Sequence, residues 1–202
     1  MKNSSYNPAA FKTFITKLVR QKSLNFFKNK SGKLLDIGCG NGLFLSKLAE
    51  KNPGLKLYGI DNDPVVLEIA QNYNSNSNKN INLSLQDGRK TIFPDNYFHF
   101  ITLLTTTINI DDKKIFRQFI NEMFRICKPD GKIIIEFRNG ANPFLKLKYY
   151  FSSISQNLTI KAYTKTEIKR LLQFSNYSSI KFIPVGLKCS LLSLSNLAII
   201  EV

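Results

Sequence analysis

Short apolar runs alternate with helical patterns along most of the chain. Five runs have the length and composition of buried strands: Lys33 to Ile37, Leu55 to Ile60, Ile81 to Leu85, Phe98 to Leu104 and Lys132 to Phe137. A stripe at helical spacing follows the fourth run: Ile115, Phe116, Phe119, Ile120, Met123 and Phe124. This stripe predicts a helix between Asp111 and Cys127. Strands separated by helices favour right-handed crossovers, and therefore a mostly parallel sheet that is covered on both faces.

Local signals predict where several helices begin and end. Asp63 is placed to cap a helix whose first position is Pro64, directly after the second strand. Thr164 and Glu167 match a capping box, and Asn176 stands where a left-handed residue would end that helix. An amphipathic segment within residues 1–30 predicts an N-terminal helix that caps the domain.

Composition adds limits on the architecture. With 202 residues, 43% of them hydrophobic, the chain suits one domain over residues 1–202. The beginning lacks the apolar stretch of a secretory signal, and Lys188 and several polar residues interrupt the apolar tail, so no membrane span is expected. Three scattered cysteines fit neither a disulfide framework nor a metal site. We therefore expect a cytoplasmic protein without a metal.

The formal net charge of +15 leaves two interpretations open. An excess of cations is typical of proteins that bind nucleic acids or anionic membranes. However, the lysines are spread along the whole chain beside many asparagines and form no dense basic block. A compositional bias is therefore the competing explanation.

The stretch LLDIGCGNGLF, residues 34–44, joins the first predicted strand to a glycine-rich turn. In parallel sheets ligands bind beyond the carboxyl ends of the strands, where this turn would lie. Gly38, Gly40 and Gly42 allow a tight turn and a close approach of the backbone to a ligand. A glycine-rich loop alone is a weak signal of function.

Carboxylates at three successive strand ends sharpen this signal. Asp36 suits an amino group, Asp61 suits both hydroxyls of a ribose, and Asp87 with Gly88 suits an adenine amino group. A nucleoside that carries a cationic amino acid fits this order. A pyrophosphate dinucleotide fits less well, because its fingerprint is G-x-G-x-x-G and because Asp36 would repel a phosphate.

With these motifs the chain resembles the class I S-adenosylmethionine-dependent methyltransferases, and among them the "type 11" group. The stretches that carry the resemblance over residues 31–202 are, in order, LLDIGCGNG, GIDNDP, QDGRKTIFPDNYFHFITL, RICKPDGKIIIEF and YTKTEIKRLLQFSNYSSIKF. The resemblance implies a Rossmann-like, doubly wound α/β fold. Its seven-stranded sheet would be mostly parallel, with an antiparallel last strand near Asn196 to Glu201 and helices on both faces.

The resemblance also implies S-adenosyl-L-methionine as the cofactor and assigns a set of binding residues. Those at the methionine end would be Asp36, Gly38, Cys39, Gly40 and Gly42. Asp61 and Asn62 would bind the ribose and adenine, Asp87 and Gly88 the base. Thr105, just after the fourth strand, would lie beneath the sulfonium.

No catalytic base stands out. The family's usual Phe-Asp at the start of the fourth strand is Phe98-His99 here, and the single histidine would lie at the end of that strand opposite the site. Asp111, Arg138 and Tyr149 are open candidates for a base, each with a structural alternative. Cys39 is expected to pack rather than to act as a nucleophile.

Two segments around the core are expected to choose the acceptor. One is the N-terminal cap, and the other is an acceptor-side insertion or lid over residues 138–163, which is too long for a simple crossover loop. Its apolar and aromatic residues form a pocket, a lid or ordinary packing: Phe144, Leu145, Leu147, Tyr149, Tyr150 and Phe151.

Three functional classes follow from the sequence. The first is a methyltransferase that acts on a small molecule, with oxygen as the expected acceptor atom. The second is a methyltransferase that acts on RNA or protein, which the net charge supports. The third is a non-catalytic S-adenosylmethionine-binding protein, since no base stands out. The acceptor's identity and the oligomeric state are left open.

Overall fold

A seven-stranded sheet forms the centre of the protein. The computed structural model describes residues 14–76, 80–110, 112–156, 160–187 and 189–202, without the side chains of residue 76 and residues 151–156. The strands are β1 Gly32–Ile37, β2 Leu55–Asp61, β3 Ile81–Leu85, β4 Phe98–Leu103, β5 Cys127–Arg138, β6 Ser179–Val185 and β7 Ser195–Glu201. Their spatial order is β3-β2-β1-β4-β5-β7-β6. The predicted fold class is confirmed, including the antiparallel β7 between β5 and β6.

Six helices lie in the described part of the chain. They are α1 Phe14–Phe26, α2 Leu43–Lys51, α3 Pro64–Asn76, α4 Lys113–Ile126, α5 Pro143–Gln156 and α6 Lys165–Leu171. Residues 1–13 lie outside the described residues, so α1 is the described part of the predicted N-terminal cap. None of the helices in the described ranges is long and apolar enough to cross a membrane.

Alternation along the strands divides the core into two layers. Leu35 and Ile37 face a cluster with α4 and α6, whereas Leu34 faces a cluster with α1, α2 and α3. Successive side chains of a strand point to opposite faces, so strands that are apolar on both faces need helices on both sides.

The predicted helix starts are confirmed, and one predicted end is wrong. The Asp63 side chain accepts from the backbone N–H of Val65 at 3.0 Å, and Thr164 forms the capping box with Glu167. However, α6 ends at Leu171, well before Asn176. The buried Leu172 is the C-cap residue, and the chain then turns through a Ser175 N–H to Leu172 C=O hydrogen bond, which ends the helix before Asn176.

The carboxyl ends of the parallel strands meet at one edge of the sheet, which we call the carboxyl edge. β1, β2, β3, β4 and β5 all run in the same direction, so the loops after them gather there. β7 runs in the opposite direction and brings Ser195 beside Arg138 at this edge. The opposite edge, where these five strands begin, is the amino edge.

Candidate functional site

The glycine turn after β1 has the conformation that its sequence predicts. Gly38, Gly40 and Gly42 have φ of 70°, 56° and 70°, in the left-handed region that L side chains rarely adopt. A Cβ on Gly38 would lie 2.4 Å from Oγ1 of Thr106, so a larger residue would displace the loop after β4. The backbone N–H of Gly38 donates to the C=O of Ile60 at 2.8 Å, which ties the turn to β2.

Asp61, at the end of β2, holds this turn in place. Its Oδ2 accepts from the backbone N–H of Gly40 at 2.8 Å, and its Oδ1 accepts from the N–H of Asp63 at 3.1 Å. The side chain is half-buried and both oxygens keep acceptor capacity. The sequence predicted a ligand contact here but not the bond to Gly40.

Asp36 is a buried acid beneath the turn. Only 3% of the residue is exposed, and the Thr102 hydroxyl donates to its Oδ1 at 2.6 Å. Burial raises the pKa of Asp36 to about 7, although the Thr102 bond and the positive charge of Arg20 oppose this effect. A cationic group beside this carboxyl would stabilise its ionised form.

A small pocket joins several of the predicted binding residues. Its lining consists of Arg20, Asp36, Gly38, Cys39, Phe44, Leu104 and Thr105. Arg20 lies on α1 and was not predicted from the sequence as a site residue. One arginine on an amphipathic helix does not indicate that the helix packs beside the distant glycine turn. Burial lowers the pKa of Arg20, and the charge of Asp36 counteracts this.

The loop after β4 is anchored by a buried ion pair on β5. Thr105 has a φ of 58°, and its backbone N–H donates to Oε2 of Glu136 at 2.9 Å. The fully buried Glu136 also accepts from the Arg138 guanidinium and the Ser195 hydroxyl. Removing one partner of a buried ion pair leaves an uncompensated charge and is strongly destabilising, so Glu136 and Arg138 stay paired in the folded protein. Glu136 therefore holds the backbone of Thr105 in a fixed position.

The three candidate bases have different outcomes. Asp111 lies outside the described residues, and Arg138 is committed to its pair with Glu136. Tyr149, on α5, is half-buried beside this pair, and burial raises the pKa of its hydroxyl. Tyr149 therefore remains protonated near neutral pH and can donate a hydrogen bond.

The predicted adenine-side residues lie farther out at the same edge. The carboxylate of Asp87 is held by the Arg89 side chain, which lowers the pKa of Asp87, and both side chains are partly exposed. A Cβ on Gly88 would lie 2.4 Å from Cγ2 of Ile37, so this loop packs on the end of β1. Asn62 is exposed beside Asp61.

Cys39 and His99 lie in different parts of the molecule. Cys39 is 7% exposed in the turn, and burial raises the pKa of its thiol, so the thiol is protonated and packs against the core. His99 lies at the start of β4, at the amino edge.

Comparisons with known proteins agree with this geometry. Residues 34–131 match the family model described as "Methyltransferase domain". This match covers just under half of the chain, which over these residues is similar to class I methyltransferases. It is similar to a demethylmenaquinone methyltransferase of Lactobacillus johnsonii, with 31% identity over 63% of this chain and 53% of that protein. A protein of Oryza sativa named "Probable tocopherol O-methyltransferase, chloroplastic" is 31% identical over 54% of this chain and 29% of its own length.

The fold is shared over nearly the whole chain. The crystal structure of a SAM-dependent methyltransferase from Aquifex aeolicus matches with a TM-score of 0.71 and 19% identity, covering 98% of this chain and 100% of that one. By contrast, the chain spans about half the length of the demethylmenaquinone methyltransferase that it matches.

S-adenosyl-L-methionine is the cofactor that the family implies. The residues at the carboxyl edge fit such a group. The turn at Gly40 lets a ligand approach the backbone closely, and the carboxylate of Asp61 can accept hydrogen bonds from ribose hydroxyls. An ammonium group would stabilise the ionised form of the buried Asp36. Among the described residues, no group of three or more histidine, cysteine or acidic side chains could hold a metal.

Proposed function

We propose that this protein transfers a methyl group from S-adenosyl-L-methionine to the oxygen of a small, hydroxylated, quinol-like acceptor. The observation that carries the proposal is the buried Asp36 beside a glycine turn held by Asp61, which suits a cationic amino-acid nucleoside. Similarity to proteins named for demethylmenaquinone and tocopherol methylation supports the acceptor class. Free cysteines at all three positions support action in the cytoplasm.

On the donor side, each polar residue has a separate task. S-adenosyl-L-methionine supplies an activated methyl group on a sulfonium. Ionised Asp36 would bind the ammonium of the methionine end, and Arg20 in the same pocket would meet its carboxylate. Asp61 would accept from the ribose hydroxyls while it holds Gly40. Because the methyl group is already activated, alignment supplies much of the catalysis, which in favourable cases is worth roughly 7 to 11 kcal/mol.

On the acceptor side, α5 presents apolar surface near the carboxyl edge. Phe144, Leu147 and Tyr150 are 72%, 56% and 63% exposed and recur every three residues, so they lie along one side of the helix. Asn142 caps α5, and its side-chain amide donates to the C=O of Leu192 at 3.0 Å, which fixes the start of the helix. An apolar ring with a hydroxyl group suits this surface. The assignment of residues 138–163 as an acceptor-side lid is part of the proposal.

Tyr149 is proposed to orient the acceptor. We expect Tyr149→Phe to reduce turnover about tenfold, because one hydrogen bond to the acceptor is lost, whereas donor affinity stays unchanged. Tyr73→Phe is the matched control, since Tyr73 is an exposed tyrosine on α3, outside the proposed acceptor surface. The measurement is steady-state kinetics with an active acceptor, together with calorimetric donor titration. Equal kinetics for Tyr149→Phe and wild type would remove Tyr149 from the acceptor site.

The proposed function is tested with the purified protein. Native mass spectrometry and calorimetry measure donor binding, and a panel of reduced quinones and phenols measures methyl transfer. We expect micromolar donor affinity and methylation of the panel at oxygen, read by NMR of the product. Donor binding without turnover on the panel, on RNA or on protein would favour the non-catalytic alternative. Methylation of RNA or protein alone would favour the alternative that the net charge of +15 supports.

A further inference from the structure

A row of basic side chains crosses the amino edge, opposite the donor loop. The second residues of four neighbouring strands form it: Lys56 on β2, Lys33 on β1, His99 on β4 and Lys128 on β5. Lys33 pairs in register with Lys56, and the following pair, Leu34 with Phe100, places Lys33 beside His99. Neighbouring strands are about 4.8 Å apart, so adjacent members of the row have their backbones close together.

Hydrogen-bond donors converge at the centre of this row. The backbone N–H of Lys33 donates to Nδ1 of His99 at 3.1 Å, so the neutral imidazole carries its proton on Nε2. Nζ of Lys128 lies 3.4 Å from that same Nε2. An N–H group and an ammonium group therefore face one another, and neither can accept a hydrogen bond from the other.

The lysines of the row have no ion-pair partner among the described residues. Nζ of Lys33 instead lies 3.5 Å from the centroid of the Tyr97 ring. Burial and the charges of Lys128 and Lys33 lower the pKa of His99.

We propose that this row, Lys33, Lys56, His99 and Lys128, binds a phosphate group. An oxyanion between Nε2 of His99 and Nζ of Lys128 accepts from both donors and replaces their repulsion with two charge-assisted hydrogen bonds. A phosphate suits the site better than a carboxylate, because it has more oxygens to accept from His99, Lys128 and the lysine side chains that reach it, and its charge approaches −2 near neutral pH. The row lies at the edge of the sheet away from the donor loop, so phosphate and donor bind at separate sites.

His99 provides a direct readout, because it is the only histidine in the chain. We expect inorganic phosphate, titrated against chloride at constant ionic strength, to shift the NMR signal of the ring saturably and to raise the pKa of His99. Lys128→Ala should weaken this binding roughly tenfold. Lys181→Ala, an exposed lysine on the edge strand β6, is the matched control and should leave it unchanged. A shift that chloride reproduces, or that Lys128→Ala leaves intact, would overturn the proposal.

A second variant tests the site without the NMR probe. His99→Asp places a carboxylate in the row, so the phosphate-dependent rise in melting temperature seen in wild type should disappear. A rise of the same size in this variant would also contradict the site. A competition experiment with a single-stranded RNA oligonucleotide identifies the source of the phosphate. If the RNA displaces inorganic phosphate, the row binds a nucleic-acid backbone; if it does not, the row binds a small phosphorylated ligand. These measurements need no methyl donor, so their outcome is independent of the proposed function.

Discussion

Asp61→Ala is expected to weaken donor binding about a hundredfold while the protein remains folded. Two effects combine: the ribose loses its charged acceptor, and the Gly40 N–H loses the bond that holds the turn. Charge-assisted hydrogen bonds contribute roughly 1.5 to 3 kcal/mol each, and about 2.7 kcal/mol corresponds to a hundredfold change in affinity. Calorimetric titration with S-adenosyl-L-methionine measures the loss, and circular dichroism verifies the fold.

A graded series separates the two effects. Asp61→Asn keeps an oxygen that can accept from Gly40 but removes the charge, so we expect a smaller loss of about tenfold. Asp130→Asn, in the turn within β5 at the amino edge, makes the same change of charge far from the site and should not alter affinity. Unchanged donor affinity in a folded Asp61→Ala protein would remove Asp61 from the donor site.

The sheet and its carboxyl edge could be predicted because their signals are local in sequence. Apolar runs set the strands, the Thr164 to Glu167 capping box set a helix start, and the glycine turn required left-handed residues. The predicted end of α6 at Asn176 was wrong, because the chain already leaves the helix at Leu172, where a turn closed by the Ser175 N–H begins.

The rest of the site depends on contacts between distant parts of the chain. Arg20 reaches the pocket from α1, and Glu136 holds the N–H of Thr105 across 31 positions of sequence. In the sequence, Arg20 is one residue of an amphipathic segment and Glu136 is one residue of a strand. The packing of α1 places Arg20 in the pocket, and the pairing of β4 with β5 places Glu136 beside Thr105. Similarly, the pKa of Asp36 depends on its burial, which its place in the motif does not give.

Asp36→Asn is expected to stabilise the fold and to weaken donor binding at the same time. An acid whose pKa is higher in the folded than in the unfolded state lowers the free energy of unfolding at any pH where the unfolded state is ionised. For Asp36 this penalty grows as pH rises from 3.8, the ordinary pKa of an aspartate, to about 7, and it is constant at higher pH. At pH 8 the variant should therefore be more stable by about 2 to 4 kcal/mol, since each pKa unit corresponds to about 1.36 kcal/mol. Below about pH 4 the two proteins should have equal stability.

Donor binding should show the opposite preference. A cationic ammonium binds ionised Asp36, so wild-type affinity should rise as pH increases through about 7, whereas the affinity of Asp36→Asn should be lower and should not show this rise. Thr102→Val removes the hydrogen bond that lowers the pKa of Asp36, and it should shift the wild-type transition to higher pH. Urea unfolding and calorimetric titration between pH 5 and 9 measure both effects. A variant that is less stable than wild type at pH 8, or that binds the donor equally well, would show that Asp36 is a structural acid and not the partner of the donor's ammonium.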